Sequence, residues 1–180
     1  MINTKSLLLG ACVAISLAAT GVHAADTSAG VVIDDSIVTA KVKAALVKDP
    51  EAKAREINVE THGGTVQLNG FVDSPDARTA AVAAAKSVEG VKSVDDNLQI
   101  KNGDHPVGAA VDDSVITAKV KSALIGDKRT KAHEIEVKTY NGVVSLGGFV
   151  STSSEKQAAE RVAMNVKGVT KVENGLTVRN

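Results

Sequence analysis

"DDSIVTAKVKAAL" runs from Asp34 to Leu46, and "DDSVITAKVKSAL" runs from Asp112 to Leu124. The two stretches stand 78 residues apart, and that offset holds without a gap to Asn180. Each reads as the start of a helix. Asp34, Asp35 and Ser36 offer side-chain oxygens to the unpaired N–H groups of a first turn. Two carboxylates there also suit the positive end of the helix dipole. Val38, Val42, Ala45 and Leu46 then recur at helical spacing and form one apolar stripe, which Ile116, Val120, Ala123 and Leu124 repeat. Lys41 and Lys48 share a flank, and Lys43 projects elsewhere. Most of the repeated letters thus start a helix and seat it on a core, so scaffold rather than site is their expected role.

The duplication continues outward. "EINVETHGGTVQLNGFV" (Glu56 to Val72) lies over "EIEVKTYNGVVSLGGFV" (Glu134 to Val150). About 30 of roughly 70 aligned positions are identical, which makes this a duplicated domain. Ile57, Val59 and Thr61 alternate, as do Val66, Leu68 and Gly70, and Asn141-Gly142 is a strong hairpin turn because both residues tolerate positive φ. A second helix starts at Ser74-Pro75 in the first copy and at a capping-box pattern, Thr152 to Glu155, in the second. Gly90 and Gly168 stop it. A last strand carries Val91, Val94, Leu98 and Ile100, matched by Val169, Val172, Leu176 and Val178. Each unit is therefore α-β-β-α-β, an α+β fold with two helices on one face of a three-stranded sheet. The other sheet face is either solvated or used by the two units to dock. Gly70 and Gly148 interrupt strands, where a glycine marks a bulge or the close approach of another chain segment.

The expected domains span 33–102 and 111–180, joined by a Gly- and Pro-containing linker at 103–110 and preceded by a flexible segment at 25–32. Residues 1–24 have the plan of a secretory signal peptide, with Lys5, the apolar run "SLLLGACVAISLAA" and the small-residue ending "VHA" at Ala24. Lipidation at Cys12 is disfavoured, because the apolar run continues past it. Cys12 is the only cysteine and leaves with the signal, so no thiol, disulfide or Cys-based metal site remains. Such a product suits a bacterial periplasm.

Little chemistry is encoded. Lys+Arg and Asp+Glu number 21 each, and Phe71, Tyr140 and Phe149 are the whole aromatic set, which argues against a nucleic-acid partner. His62, His105 and His133 form no ligand spacing, so no metal is expected. Asp34-Asp35 and Asp112-Asp113 are better helix caps than acid–base pairs. No nucleophile elbow, phosphate loop or dinucleotide fingerprint occurs. No catalytic residue and no cofactor are expected. Charge is unevenly spread: residues 26–107 hold nine Lys/Arg against thirteen Asp/Glu, whereas residues 108–180 hold eleven against eight. "GDKRTKAHE" (Gly126 to Glu134) concentrates Lys128, Arg129 and Lys131.

Three motifs carry a family resemblance over both units. They are the "TAKVKxAL" helix, the "VxLxGxV" strand ("VQLNGFV" at Val66–Val72, "VSLGGFV" at Val144–Val150) and the "GVxxVxxxL" close at Gly90–Leu98 and Gly168–Leu176. Each unit resembles the BON domain of bacterial osmotically inducible and outer-membrane-associated proteins. The resemblance implies a non-enzymatic, monomeric periplasmic stress protein that meets phospholipid at the outer or inner membrane, or else assists unfolded exported proteins. With the basic second half, it makes Lys119, Lys121, Lys128, Arg129 and Lys131 the candidate contacts to anionic lipid.

Overall fold

The computed structural model describes residues 34–49, 56–101, 103 and 109–179. The signal-peptide reading of 1–24, the segment 25–32 and most of the linker lie outside the described residues. The first unit runs α1 (Asp35–Lys48), β1 (Ile57–His62), β2 (Thr65–Val72), α2 (Pro75–Lys86) and β3 (Ser93–Ile100). The second runs α3 (Ala109–Gly126), a 3-10 turn (Ala132–Glu134), β4 (Ile135–Tyr140), β5 (Val143–Val150), α4 (Ser153–Met164), β6 (Lys171–Asn174) and β7 (Thr177–Val178). This is the α+β arrangement expected. Two details differ. Helix α3 begins inside the stretch read as linker, because nothing between Ala109 and Asp112 breaks a helix. Its Asp112 therefore sits in the first turn rather than at a cap. Val91 precedes its strand rather than opening it.

In each unit the long central strand pairs antiparallel with the hairpin partner and parallel with the last strand, giving the order β1-β2-β3 and its counterpart around β5. Val38, Val42 and Leu46 of α1 pack with Ala77, Ala81 and Ala85 of α2 on Val59, Val66, Leu68 and Leu98. The second core repeats this with Ile116, Val120, Leu124, Ala159, Ala163, Val137, Val144, Leu146 and Leu176. Small alanines on the second helix let both helices lie close on one face. Gly70 and Gly148 have φ of 122° and 121°, and a Cβ at either would overlap the carbonyl oxygen of Glu56 or Glu134. The backbone itself requires glycine there.

The repeated acidic pair divides its work. Asp34 caps α1, accepting from the Ser36 backbone N–H at 2.7 Å and its hydroxyl at 2.6 Å. Those two bonds lower the Asp34 carboxyl below its ordinary pKa. Asp35 instead reaches across to the hairpin turn, taking the N–H groups of Gly63 and Gly64 at 2.6 and 2.9 Å. Asp113 does the same for Asn141 and Gly142 at 2.8 and 2.9 Å. One turn further on, Thr39 meets Thr61 and Thr117 meets Thr139, each hydroxyl pair at 2.7 Å. The thirteen letters thus start the helix in the first copy, and in both copies they seat it and pin the hairpin. Glu155 also does more than a capping box: Thr152 accepts from its N–H at 3.1 Å, but its buried carboxylate takes the N–H groups of Ser151 and Lys131.

The sheet faces turned away from the helices meet each other. Contacts join β2 to β5, β1 to β5 and β2 to β4, so the molecule is a helix–sheet–sheet–helix sandwich. The contacts are reciprocal, as across an approximate two-fold axis: Phe71 lies 5.6 Å from Tyr140, and Phe149 lies 5.4 Å from His62, its repeat counterparts. All three aromatics described thus serve the seam rather than either core. Phe71 and Phe149 are buried there with Gln67, Asn69 and Ser145, and Tyr140 is half-buried.

Candidate functional site

Two surfaces compete for attention, and the first is the seam. The Gln67 side chain crosses from β2 into the second sheet, where the last strand is split between β6 and β7. Its amide nitrogen donates to the Gly175 carbonyl at 2.6 Å and the Thr177 hydroxyl at 2.7 Å. Its oxygen accepts from the Gly148 N–H at 2.5 Å and the Asn69 amide at 2.8 Å. All four hydrogen-bonding capacities of the side chain are used. Asn97 adds a bond to the Gly175 carbonyl at 3.3 Å. Asn69 fills the recess left by Gly147, where any Cβ would collide with it. Its Oδ1 is buried without a hydrogen-bond partner.

At one end the seam opens into a cleft of about 730 Å³ lined by Phe71 and Lys101 of the first domain and by Thr117, Lys121, Glu136 and Tyr140 of the second. Lys101 is held by Glu56 at 2.6 Å and Asp73 at 2.8 Å and stands 5.4 Å above the Tyr140 ring. Burial opposes its charge, but the bonds to Asp73 and Glu56 outweigh it, and its pKa is raised. Lys121 pairs with Glu136 at 3.4 Å. Nearby, burial and the charge of Glu136 raise the Glu60 carboxyl, against the pull of Lys43. Each of these ion pairs lies within one domain, Lys101 with Glu56 and Asp73 in the first and Lys121 with Glu136 in the second, and the Lys101–Tyr140 contact crosses the seam. Among the described residues no cluster of His, Cys, Asp or Glu is placed to hold a metal.

The second surface is the outer face of α3. At about 100° per residue, Val115, Ala118, Ser122 and Ile125 form an arc opposite the buried stripe, with Lys119 on one flank and Lys121 on the other. Val115 is 44% exposed and Ile125 75% exposed, high values for aliphatic side chains on a helix that also buries Ile116, Val120 and Leu124. The helix is apolar on two opposite faces, which a soluble helix has no need of. Beyond its C-terminus lies the basic loop, and here the candidate residues part company. Lys128 is exposed and has no ion-pair partner among the described residues. Arg129 is bound back to Asp127 through bonds of 3.0 and 2.6 Å, which hold the Asp127 carboxyl down to about 2. Lys131 reaches the Ser151 hydroxyl at 3.0 Å. The structure therefore leaves Lys119 and Lys128 as the free ammonium groups of the set, with Lys121 loosely paired. Sequence reading located the charges but not the aliphatic arc, whose signal was Val115 and Ile125 falling outside the buried stripe.

The BON-domain family profile matches residues 34–102 and 112–180, the two halves of the sandwich. The chain belongs to the BON-domain family. Over 148 residues it is 38% identical to Osmotically-inducible protein Y of Escherichia coli, covering 82% of this chain and 74% of that protein. Over 144 residues it is 38% identical to Outer membrane lipoprotein DolP of Haemophilus influenzae, covering 79% and 74%. The 21 kDa hemolysin of Actinobacillus pleuropneumoniae is 38% identical over 147 residues, covering 81% and 74%. The seam described above joins one BON domain to the next, and the α3 arc lies on the first helix of the second BON domain.

Proposed function

We propose that this tandem BON protein is a non-enzymatic component of the bacterial envelope's response to osmotic stress, working in the periplasm at anionic phospholipid surfaces. The observation that carries the reading is the outer arc of α3, in which Val115, Ala118 and Ile125 stand between Lys119 and Lys121. An aliphatic strip flanked by ammonium groups matches the boundary between acyl chains and anionic head groups. Lys128 extends the basic margin past the helix end, and Arg129 and Lys131 lie in the same loop. Each basic residue near such a surface contributes about 1 kcal/mol. Among the described residues no helix is long and apolar enough to cross a membrane, and a contact lying on the surface is the mode this arc suits. The names of the relatives, one osmotically inducible and one an outer membrane lipoprotein, support the envelope setting.

The test is co-sedimentation with phosphatidylglycerol vesicles. Binding is expected at low ionic strength and should weaken as salt screens the lysines. Lys119→Glu/Lys128→Glu, at the two unpaired ammonium groups, should lower affinity at least tenfold with an unchanged unfolding midpoint. Equal binding to neutral and anionic vesicles would overturn the electrostatic part. Protection of an unfolded client protein without lipid, from a chain that ignores vesicles, would favour the client-binding reading instead.

A further inference from the structure

The sandwich gives the first domain the same equipment on the far side. On α1, Ile37, Ala40, Ala44 and Val47 occupy the arc opposite Val38, Val42 and Leu46. Ile37 is 50% exposed and Val47 75% exposed, repeating Val115 and Ile125. Lys41 and Lys48 flank this arc on one side and Lys43 on the other, so it carries three lysines where α3 carries two. Lys41 leans to Glu89 at 3.2 Å, and Lys43 and Lys48 have no ion-pair partner among the described residues. The outer faces of α2 and α4 differ: their exposed positions are mostly polar, with Asp76, Thr79 and Lys86 on one and Gln157, Glu160 and Arg161 on the other, and Met164 at the end of α4 is the one large exposed apolar side chain described there. The aliphatic arc is thus a property of the first helix of each domain and not of exposed helices in general.

The seam fixes where the two arcs point. With the sheets face to face and Gln67 bonded into the second sheet, α1 and α3 form the outer layers on opposite sides of one block. A single flat bilayer cannot touch both. We infer that α1 is a second anionic-lipid contact and that the docked pair of domains bridges two phospholipid surfaces. This rests on the reading of α3 as a lipid contact and extends it to the opposite face. Charge complementarity identifies the occupant: an arc of aliphatics between three lysines, one of them paired with Glu89, fits an anionic bilayer.

Clustering of phosphatidylglycerol/phosphatidylethanolamine vesicles, followed by dynamic light scattering beside co-sedimentation, reads the two contacts separately. The full chain should raise the mean particle diameter severalfold at protein-to-lipid ratios below saturation. Ile37→Asp/Val47→Asp should return the diameter to that of vesicles alone while co-sedimentation stays within about twofold, because α3 still binds. Val115→Asp/Ile125→Asp should abolish clustering too and also reduce co-sedimentation. All four positions are exposed, and matching circular dichroism melts check the fold. Co-sedimentation of the unmodified protein without clustering would overturn the bridge and leave the α3 contact standing, whereas no co-sedimentation at all would overturn both. Clustering by Ile37→Asp/Val47→Asp equal to that of the unmodified protein would also overturn it. So would a lipid-free dimer that this variant converts to monomer, since the arc would then belong to a second copy of the chain.

Discussion

Strands β2 and β5 are the same strand twice, and they differ on one face only. Toward the helices they are identical: Val66 and Val144, Leu68 and Leu146, Gly70 and Gly148, Val72 and Val150. Toward each other they diverge as complements. Where β2 offers Gln67 and Asn69, β5 offers Ser145 and Gly147, and the strand beside it replaces Asn97 with Gly175. A duplicated sheet face begins self-complementary, so like could pair with like. Here the first domain supplies protruding amides and the second supplies a recess and unpaired ladder groups. Two first domains would bring Gln67 and Asn69 against each other, and two second domains would leave the Gly148 N–H and Gly175 carbonyl buried without partners. The difference teaches that the halves have become unequal members of one unit, specified by hydrogen bonds that only the mixed pair completes.

The largest expected effects lie where the halves are still alike. Leu46→Ala and Leu124→Ala each remove a side chain that is almost wholly buried and should each cost about 2–5 kcal/mol in chemical denaturation. The two losses should be similar, and a tenfold smaller loss in one half would break the equivalence of the cores. Lys41→Ala on the same helix should change stability by less than about 0.5 kcal/mol, since its pair with Glu89 is exposed.

Next come the positions where the halves differ. Gln67→Ala leaves the buried Gly148 N–H and Asn69 amide without the oxygen they share, each costing about 1–3 kcal/mol, so a loss of at least about 2 kcal/mol is expected. Ser145→Ala, at the matching position, should cost under about 1 kcal/mol, because no seam bond depends on it in the way three depend on Gln67. Equal losses at the two sites would show the seam to be symmetric after all. Tyr140, the single tyrosine in a chain without tryptophan, gives an emission signal beside Phe71 for following the seam.

Much of each domain was legible from the chain because it is local. The period of Val38, Val42 and Leu46 gives the helix and its buried face. Asn141-Gly142 gives the turn, where both residues have positive φ, 48° and 75°. Other features were not legible, because their partners lie far away in sequence. Asp35 and Asp113 read as helix-start residues, and local chemistry accounts for them without the hairpin turns they hold 28 residues downstream. Glu155 fits a capping box, yet its carboxylate goes to Ser151 and Lys131. Alternation along β2 places Gln67 and Asn69 on the face away from the helices, and a polar pair there reads as solvated. What buries them is the gap at Gly175, and no periodicity announces an interrupted strand. The outer arc of α3 was half visible: lysines stand out by charge, but Val115 and Ile125 count as core until the structure shows which face is covered.

The claim that the halves are matched to each other rests most directly on Asn69 and Gly147. The atoms nearest a Cβ at residue 147 are Cγ, Nδ2 and Cβ of Asn69, the first two of which Asn69→Ala removes, and no positive φ complicates the substitution. Denaturation of Gly147→Ala, Asn69→Ala and the double variant measures the match as a coupling energy. Gly147→Ala alone should cost about 1–3 kcal/mol by overpacking. Truncating Asn69 in the same chain should restore at least about 1 kcal/mol, making the double variant more stable than Gly147→Ala. Additivity within about 0.5 kcal/mol would mean the two residues do not meet, and the account of a seam specified by one domain for the other would fail.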